Sequence, residues 1–202
     1  MNNCSRSFSV FVTRALILFL HCCISFNYGD VDSATKKVTD ISTPKRSLGL
    51  VVQYEYFLNG TKKEVISNGR QEVRKQLTFQ AYQDSDIFSK IEEGSQGDLN
   101  ISVVIIEKAF VNRGLSMLTG ISFGLFPSWG SSNLFVKTYV SDRNGKPIGE
   151  IVASSSSVTI MQIFLLAPMI LFYPPYVYDE YIKGTNRYTL NEAVRRGIFR
   201  SD

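Results

Sequence analysis

The chain has 202 residues, 44% hydrophobic and 20% charged, which is enough apolar content for one packed domain, two at most, and excludes a wholly disordered chain. Its 22 basic and 18 acidic residues give a net charge of +4 without the dense Lys/Arg stripe of a nucleic-acid footprint. The single His21 and all three cysteines, Cys4, Cys22 and Cys23, precede Ile24, so the body of the chain lacks the residues for a Ser-His-Asp triad, a Cys-His pair, a thiolate zinc site or a disulfide framework.

Residues 1–23 read as a secretory signal. A polar, basic start carrying Arg6 and Arg14 leads into the apolar run Ala15 to Leu20, which ends at His21-Cys22-Cys23. Leu20-His21-Cys22-Cys23 resembles the end of a bacterial lipoprotein signal, in which the new N-terminal Cys carries diacylglycerol on its thiol. That resemblance implies lipid attachment at Cys23. Cys22 is the poorer candidate, because bulky His21 would then sit at the cleavage junction. An ordinary cleaved signal and an uncleaved anchor are the alternatives. Residues 24–46, with Asp30, Asp32, Lys36, Lys37 and Pro44, read as a flexible tether of about twenty residues.

Residues 47–157 read as an α/β domain. Ser47 to Phe57 alternates as a strand, Asn59-Gly60 breaks the chain, and Ser67 to about Tyr82 has helical spacing at Val73, Leu77, Gln80 and Ala81. Ile87 to Ile91 is a short strand. Leu99 to Lys108 is the clearest one, and its run Val103 to Ile106 predicts burial on both faces. Asn133 to Ser141 and Pro147 to Ser154 flank Asn144-Gly145 as a hairpin. The expected fold is α+β: a small mixed, largely antiparallel sheet packed by one or two helices, with the N-terminal signal and a C-terminal apolar helix added.

Two apolar segments stand out. Gly114 to Trp129 has no charge and presents Leu118, Ile121, Phe123, Leu125, Phe126 and Trp129. It predicts a loop or short amphipathic turn that either packs on the sheet or contacts a membrane or partner, with Trp129 at the polar boundary. Residues 158–202 read as an apolar helix followed by an amphipathic one from Tyr188 to Phe199. Val158 to Tyr178 has no charge over about the length a spanning helix needs, although Pro168 kinks it and Pro174-Pro175 would end it. A second transmembrane span and a buried helix or lid are the two readings.

No phosphate loop, dinucleotide fingerprint or metal-ligand cluster is found, so no cofactor and no metal are expected. Asp84/Asp86 and Glu92/Glu93 read as solvated turns, and Ser154 to Ser157 as a strand end and linker with no His partner in the body. The glycosylation patterns at Asn59 and Asn100 read as chance matches.

On the strand Leu99 to Lys108, the segment Leu118 to Ser128, the hairpin that follows and the apolar stretch Ile163 to Phe172, the chain from about Leu48 to Phe172 resembles a group of uncharacterised bacterial envelope lipoproteins. The resemblance brings no activity with it. It implies a non-enzymatic protein of the bacterial cell envelope, facing the periplasm, whose partners are the lipid bilayer and another envelope protein. The alternative reading is a two-span subunit of a membrane complex.

Overall fold

In the computed structural model, residues 23–30, 45–63, 68–165 and 174–199 are described. The chain runs β1 (Cys23–Gly29), β2 (Ser47–Leu58), β3 (Thr61–Lys63), α1 (Asn68–Asp84), β4 (Lys90–Glu93), β5 (Leu99–Val111), α2 (Arg113–Ile121), β6 (Ser128–Asp142), β7 (Pro147–Met161), a 3-10 turn at Ile163–Leu165 and α3 (Pro174–Arg195). The strands form one seven-stranded sheet in the order β1-β7-β6-β5-β2-β3, with β4 also pairing on β2. Strands β2 and β5 are parallel, because α1 lies in the crossover between them, as is the short β2–β4 pair; the other pairings are antiparallel. The expected mixed, largely antiparallel α+β fold is the one observed.

One face of the sheet is covered by α1 and α3, which also pack on each other. Their inward residues join those of the strands in a single core that includes Leu50, Ile101, Val103, Ile105, Leu134, Val136, Ile151, Tyr82, Tyr181 and Ile182. The double-sided burial expected for β5 gives way to alternation: Leu99, Ile101, Val103 and Ile105 are buried, whereas Asn100, Ser102, Val104 and Ile106 are half-buried on the open face. Among the described residues α1 and α3 cover the other side, so four consecutive apolar residues here reflect a half-sheltered second face.

The helices carry polar groups inward. Thr185, Asn186 and Thr189 of α3 are buried, and each finds a carbonyl one turn back: Thr185 Oγ1 donates to Tyr181 O (2.7 Å), Asn186 Nδ2 to Ile182 O (2.9 Å) and Thr189 Oγ1 to Asn186 O (2.8 Å). In α1 the buried stripe is Leu77, Thr78, Ala81 and Tyr82, while Val73 is exposed.

Several expectations change. Residues Cys23–Gly29, read as the signal's end and the start of the tether, form an edge strand paired with Ser155–Met161. The tether's residues 31–44 and the signal's residues 1–22, with Cys22, lie outside the described residues. The short strand expected from Ile87 to Ile91 is shifted to β4, and Ile87 and Phe88 instead fill the core. The serine run is no linker: β7 continues through it, turning Ser155 and Ser157 inward and ending at Met161. A continuous helix from Val158 to Tyr178 is thereby overturned, since Val158–Met161 is extended and Pro174–Tyr178 opens α3. Prolines suit the first helical turn, where no intrahelical N–H partner is required, so Pro174-Pro175 starts a helix rather than ending one. The apolar residues 166–173 lie outside the described residues. Among the described residues no helix is long and apolar enough to cross a membrane.

The two Asn-Gly pairs solve different problems. Asn59 (φ 51°) and Gly60 (φ 80°) both take positive φ and join β2 to β3 in a two-residue turn. At the β6–β7 hairpin only Gly145 is positive, and Asp142 Oδ1 accepts from both Asn144 N and Lys146 N (2.8 Å each).

Candidate functional site

The strand register brings three chain segments to one end of the sheet. Met161, the last residue of β7, pairs with Cys23 on one side and Ser128 on the other, and Val111 at the end of β5 pairs with Gly130. The junction with residues 1–22, the α2 segment and the 3-10 turn after β7 therefore meet at this edge.

Helix α2 starts at Asn112, whose side chain accepts from Leu115 N (3.1 Å), while Ser116 Oγ donates to Asn112 O (3.0 Å). Thr119 is its only buried residue, with Oγ1 donating to Leu115 O (2.8 Å). The segment expected as a loop or turn is thus a helix with little of it inside. Leu118, Ile121, Phe123, Leu125, Phe126 and Trp129, the residues picked out from sequence, are all exposed, Phe123 at 78% and Trp129 at 54%. Packing of these six side chains into the core, the plainer of the two expectations, is not what the fold does with them.

Sequence reasoning missed further members of the same surface. Strand alternation puts Trp129, Phe110 and Phe26 on the open side of the sheet at this end, and all three are exposed, as are Met117 and Phe164. Exposed apolar groups gathered in one place mark a contact surface more often than scattered ones do. Phe110 was legible as the open-face parity of β5; Phe26 was hidden because its strand follows directly on the signal.

The helix ends in an unusual way. Gly124 N donates to Thr119 O (2.7 Å) and Phe123 N to Gly120 O (3.2 Å), the paired closure of a Schellman motif. Its left-handed position normally takes glycine, and here Phe123 occupies it at φ 53°.

A second cluster lies inside. Glu107, on the helix-facing side of β5 and 5% exposed, accepts at Oε2 from Tyr54 OH (2.6 Å), Tyr178 OH (2.7 Å) and Arg74 (3.5 Å), and at Oε1 from Ser132 Oγ (3.2 Å). The Arg74 guanidinium carbon is 4.4 Å from the Tyr178 ring centroid and 5.5 Å from that of Tyr54. Burial, reinforced by the Glu107 charge, pushes both tyrosine pKa values well above the ordinary phenol value, so they remain hydrogen-bond donors. Burial opposes the Arg74 cation, and its Tyr178, Glu107 and Tyr54 neighbours outweigh that opposition, holding its pKa above the ordinary value. The cluster ties α1 and α3 to β2, β5 and β6. Its sequence signal was the strand parity that places Glu107 inward after Ile105, since a buried carboxylate requires donors.

The carboxylates considered for paired chemistry are dispersed. Asp86 pairs with Lys45 (2.7 Å), Glu92 with Lys90 (2.6 Å) and Glu93 with Lys75. No cluster of three metal-ligating side chains occurs among the described residues. Both glycosylation-pattern asparagines are engaged: Asn59 bonds the Val111 backbone through Oδ1 and Nδ2 (2.9 and 3.0 Å), and Asn100 bonds Gly97 N and Asp142 O (3.2 and 3.1 Å).

No family model matches the chain, and no curated protein matches it in sequence. Among solved structures it is similar to a Xanthomonas campestris protein described by the family model DUF330, with TM-score 0.39 and 8% identity over 82% of this chain and 95% of that one. It is also similar to PelC from Paraburkholderia phytofirmans, a dodecamer in that crystal, with TM-score 0.31 and 8% identity over 81% of this chain and 98% of that one. Both likenesses are loose, and the roles of those proteins carry no weight for this one.

Proposed function

We propose that this chain is a non-catalytic protein of the bacterial cell envelope, anchored by lipid on Cys23 and holding its α+β domain on the periplasmic side of a membrane. The supporting observation is the register at Cys23. The residue that resembles a lipoprotein attachment site is the first of β1 and pairs with Met161 at the apolar end of the sheet, so an anchor there would bring that end to the bilayer. Its partners in this reading are the bilayer and another envelope protein. Nucleic acid has no place in it, since 18 acidic residues are interspersed among the bases of the body.

Metabolic labelling with a radioactive fatty acid tests the anchor. Label on the wild-type protein and its loss in the Cys22→Ala/Cys23→Ala double variant are expected, with mass spectrometry placing the mature N-terminus at Cys23. An unlabelled wild type, or label retained in the double variant, overturns it.

A further inference from the structure

We infer that the α2 end of the sheet is a second, non-covalent membrane contact, in which Ile121, Phe123, Leu125 and Phe126 enter the lipid interface and Trp129 lies at headgroup level. The inference takes its orientation from the proposed anchor at Cys23, but it rests on three separate features of the fold.

The first is Phe123. A left-handed residue closing a helix is relaxed as glycine and strained as phenylalanine, and an aromatic ring 78% exposed in water adds a hydration cost. Neither feature helps the isolated domain fold, so the benefit lies with whatever the ring touches.

The second is the absence of charge. From Gly114 to Val136 no residue is acidic or basic, and none is from Ile151 to Tyr178. The patch's polar groups are hydroxyls, amides and glycine backbone. Protein interfaces carry a polar rim around their apolar centre, whereas a surface entering hydrocarbon keeps its charges at the margin. Exposed Arg113 opens α2 and exposed Lys108 stands two residues before Phe110 on β5, while the first charge after the second stretch is exposed Asp179.

The third is convergence. Cys23, the proposed anchor, pairs with Met161 at this end of the sheet. Residues 166–173, Leu-Ala-Pro-Met-Ile-Leu-Phe-Tyr, follow the 3-10 turn that leaves Met161. Cys23 and Met161 both lie at the edge on which α2 sits. A bilayer meets an acyl chain on Cys23 and the exposed apolar residues of α2 in one orientation, whereas a second copy of the chain or a protein partner would have to match α2 separately.

Trp129 is the only tryptophan in the chain, so it reports on this surface without labelling. The full-length protein is reconstituted into phosphatidylethanolamine/phosphatidylglycerol vesicles containing brominated acyl chains. Expected are cosedimentation with the vesicles, a blue shift of Trp129 emission, protection from aqueous acrylamide, and stronger quenching by bromines near the headgroup than by bromines deep in the chain. The Phe123→Asp/Phe126→Asp variant alters exposed positions only and is checked for folding by circular dichroism. It should still cosediment through its anchor and lose the blue shift and the quenching. Cosedimentation without quenching in the wild type, quenching that survives in the variant, or a blue shift that needs only a higher protein concentration and no lipid each overturns the contact while leaving the anchor standing. A wild-type protein that neither cosediments nor is quenched overturns both, and a variant that loses sedimentation as well as quenching overturns the anchor.

Discussion

Helices α2 and α3 end with the same hydrogen-bond closure and different residues. At the end of α3, Ile198 N donates to Ala193 O (3.0 Å) and Gly197 N to Val194 O (2.9 Å), and Gly197 takes the left-handed position at φ 71°. Ile198, the next residue, packs on the core beside Gly149. At the end of α2 the left-handed position is Phe123, and its ring stands in solvent. The α3 end follows every preference that stabilises a domain, and the α2 end goes against them at one residue. Where two copies of one motif in one chain diverge in this way, the poorer copy points to a requirement outside the fold.

The largest way to sharpen that contrast is to remove what holds α3 down. Glu107→Ala leaves Arg74 without its counter-charge and two buried tyrosines without an acceptor, a loss of ~3–5 kcal/mol. Urea unfolding should show it, and Trp129 quenching by vesicles should be unchanged under conditions where the variant remains folded. An unaltered unfolding midpoint would mean the cluster does not join the helices to the sheet.

The same layer should fail at alkaline pH. Burial raises the pKa values of Tyr54, Tyr82, Tyr178 and Tyr181 above those of the unfolded chain. The native state therefore keeps protons that the unfolded state releases above about pH 10. Their contribution to stability is fully present below that value and falls as the pH rises beyond it. Phenolate absorbance should rise first for exposed tyrosines and then together with loss of the fold. Smooth titration of all tyrosines before unfolding would contradict the packing described.

The smallest effects compare the helix ends directly. Gly197→Ala should cost about 1–2 kcal/mol, because a Cβ is forced into the left-handed region. Phe123→Gly should gain about 0.5–1 kcal/mol, the strain relieved being partly offset by the entropy of glycine in the unfolded chain. Paired chemical denaturation curves read both. A destabilising Phe123→Gly would show the ring to be part of the domain's own packing and remove one support of the membrane contact.

The parts of this molecule legible in sequence are those whose signal is local. Alternation in β2, the existence of the strand at β5 though not its one-sided burial, the Asn144-Gly145 turn and the apolar, uncharged stretch from Gly114 to Trp129 are each written within a few neighbouring residues, and each is found. What escaped depends on partners far along the chain. Strand β1 alternates Ile24, Phe26 and Tyr28 with Ser25 and Asn27, but its place directly after a signal hides that pattern, and its partner β7 lies over 120 residues away. Thr185, Asn186 and Thr189 obscure the buried face of α3, because they are polar residues that turn inward and donate to carbonyls of their own helix. Strand parity turns Glu107 inward, but its donors Arg74, Tyr54 and Tyr178 come from distant parts of the chain.

The edge strand has a mechanical consequence. Seven consecutive residues of β1 pair in unbroken register with Ser155–Met161, and antiparallel bonds lie perpendicular to the strand. A pull on Cys23 along the strand, away from the end of the sheet, loads those bonds together in shear. A pull on Gly29 away from the sheet instead opens them one at a time, like a zipper. The strand is therefore built to resist tension arriving from the N-terminal side.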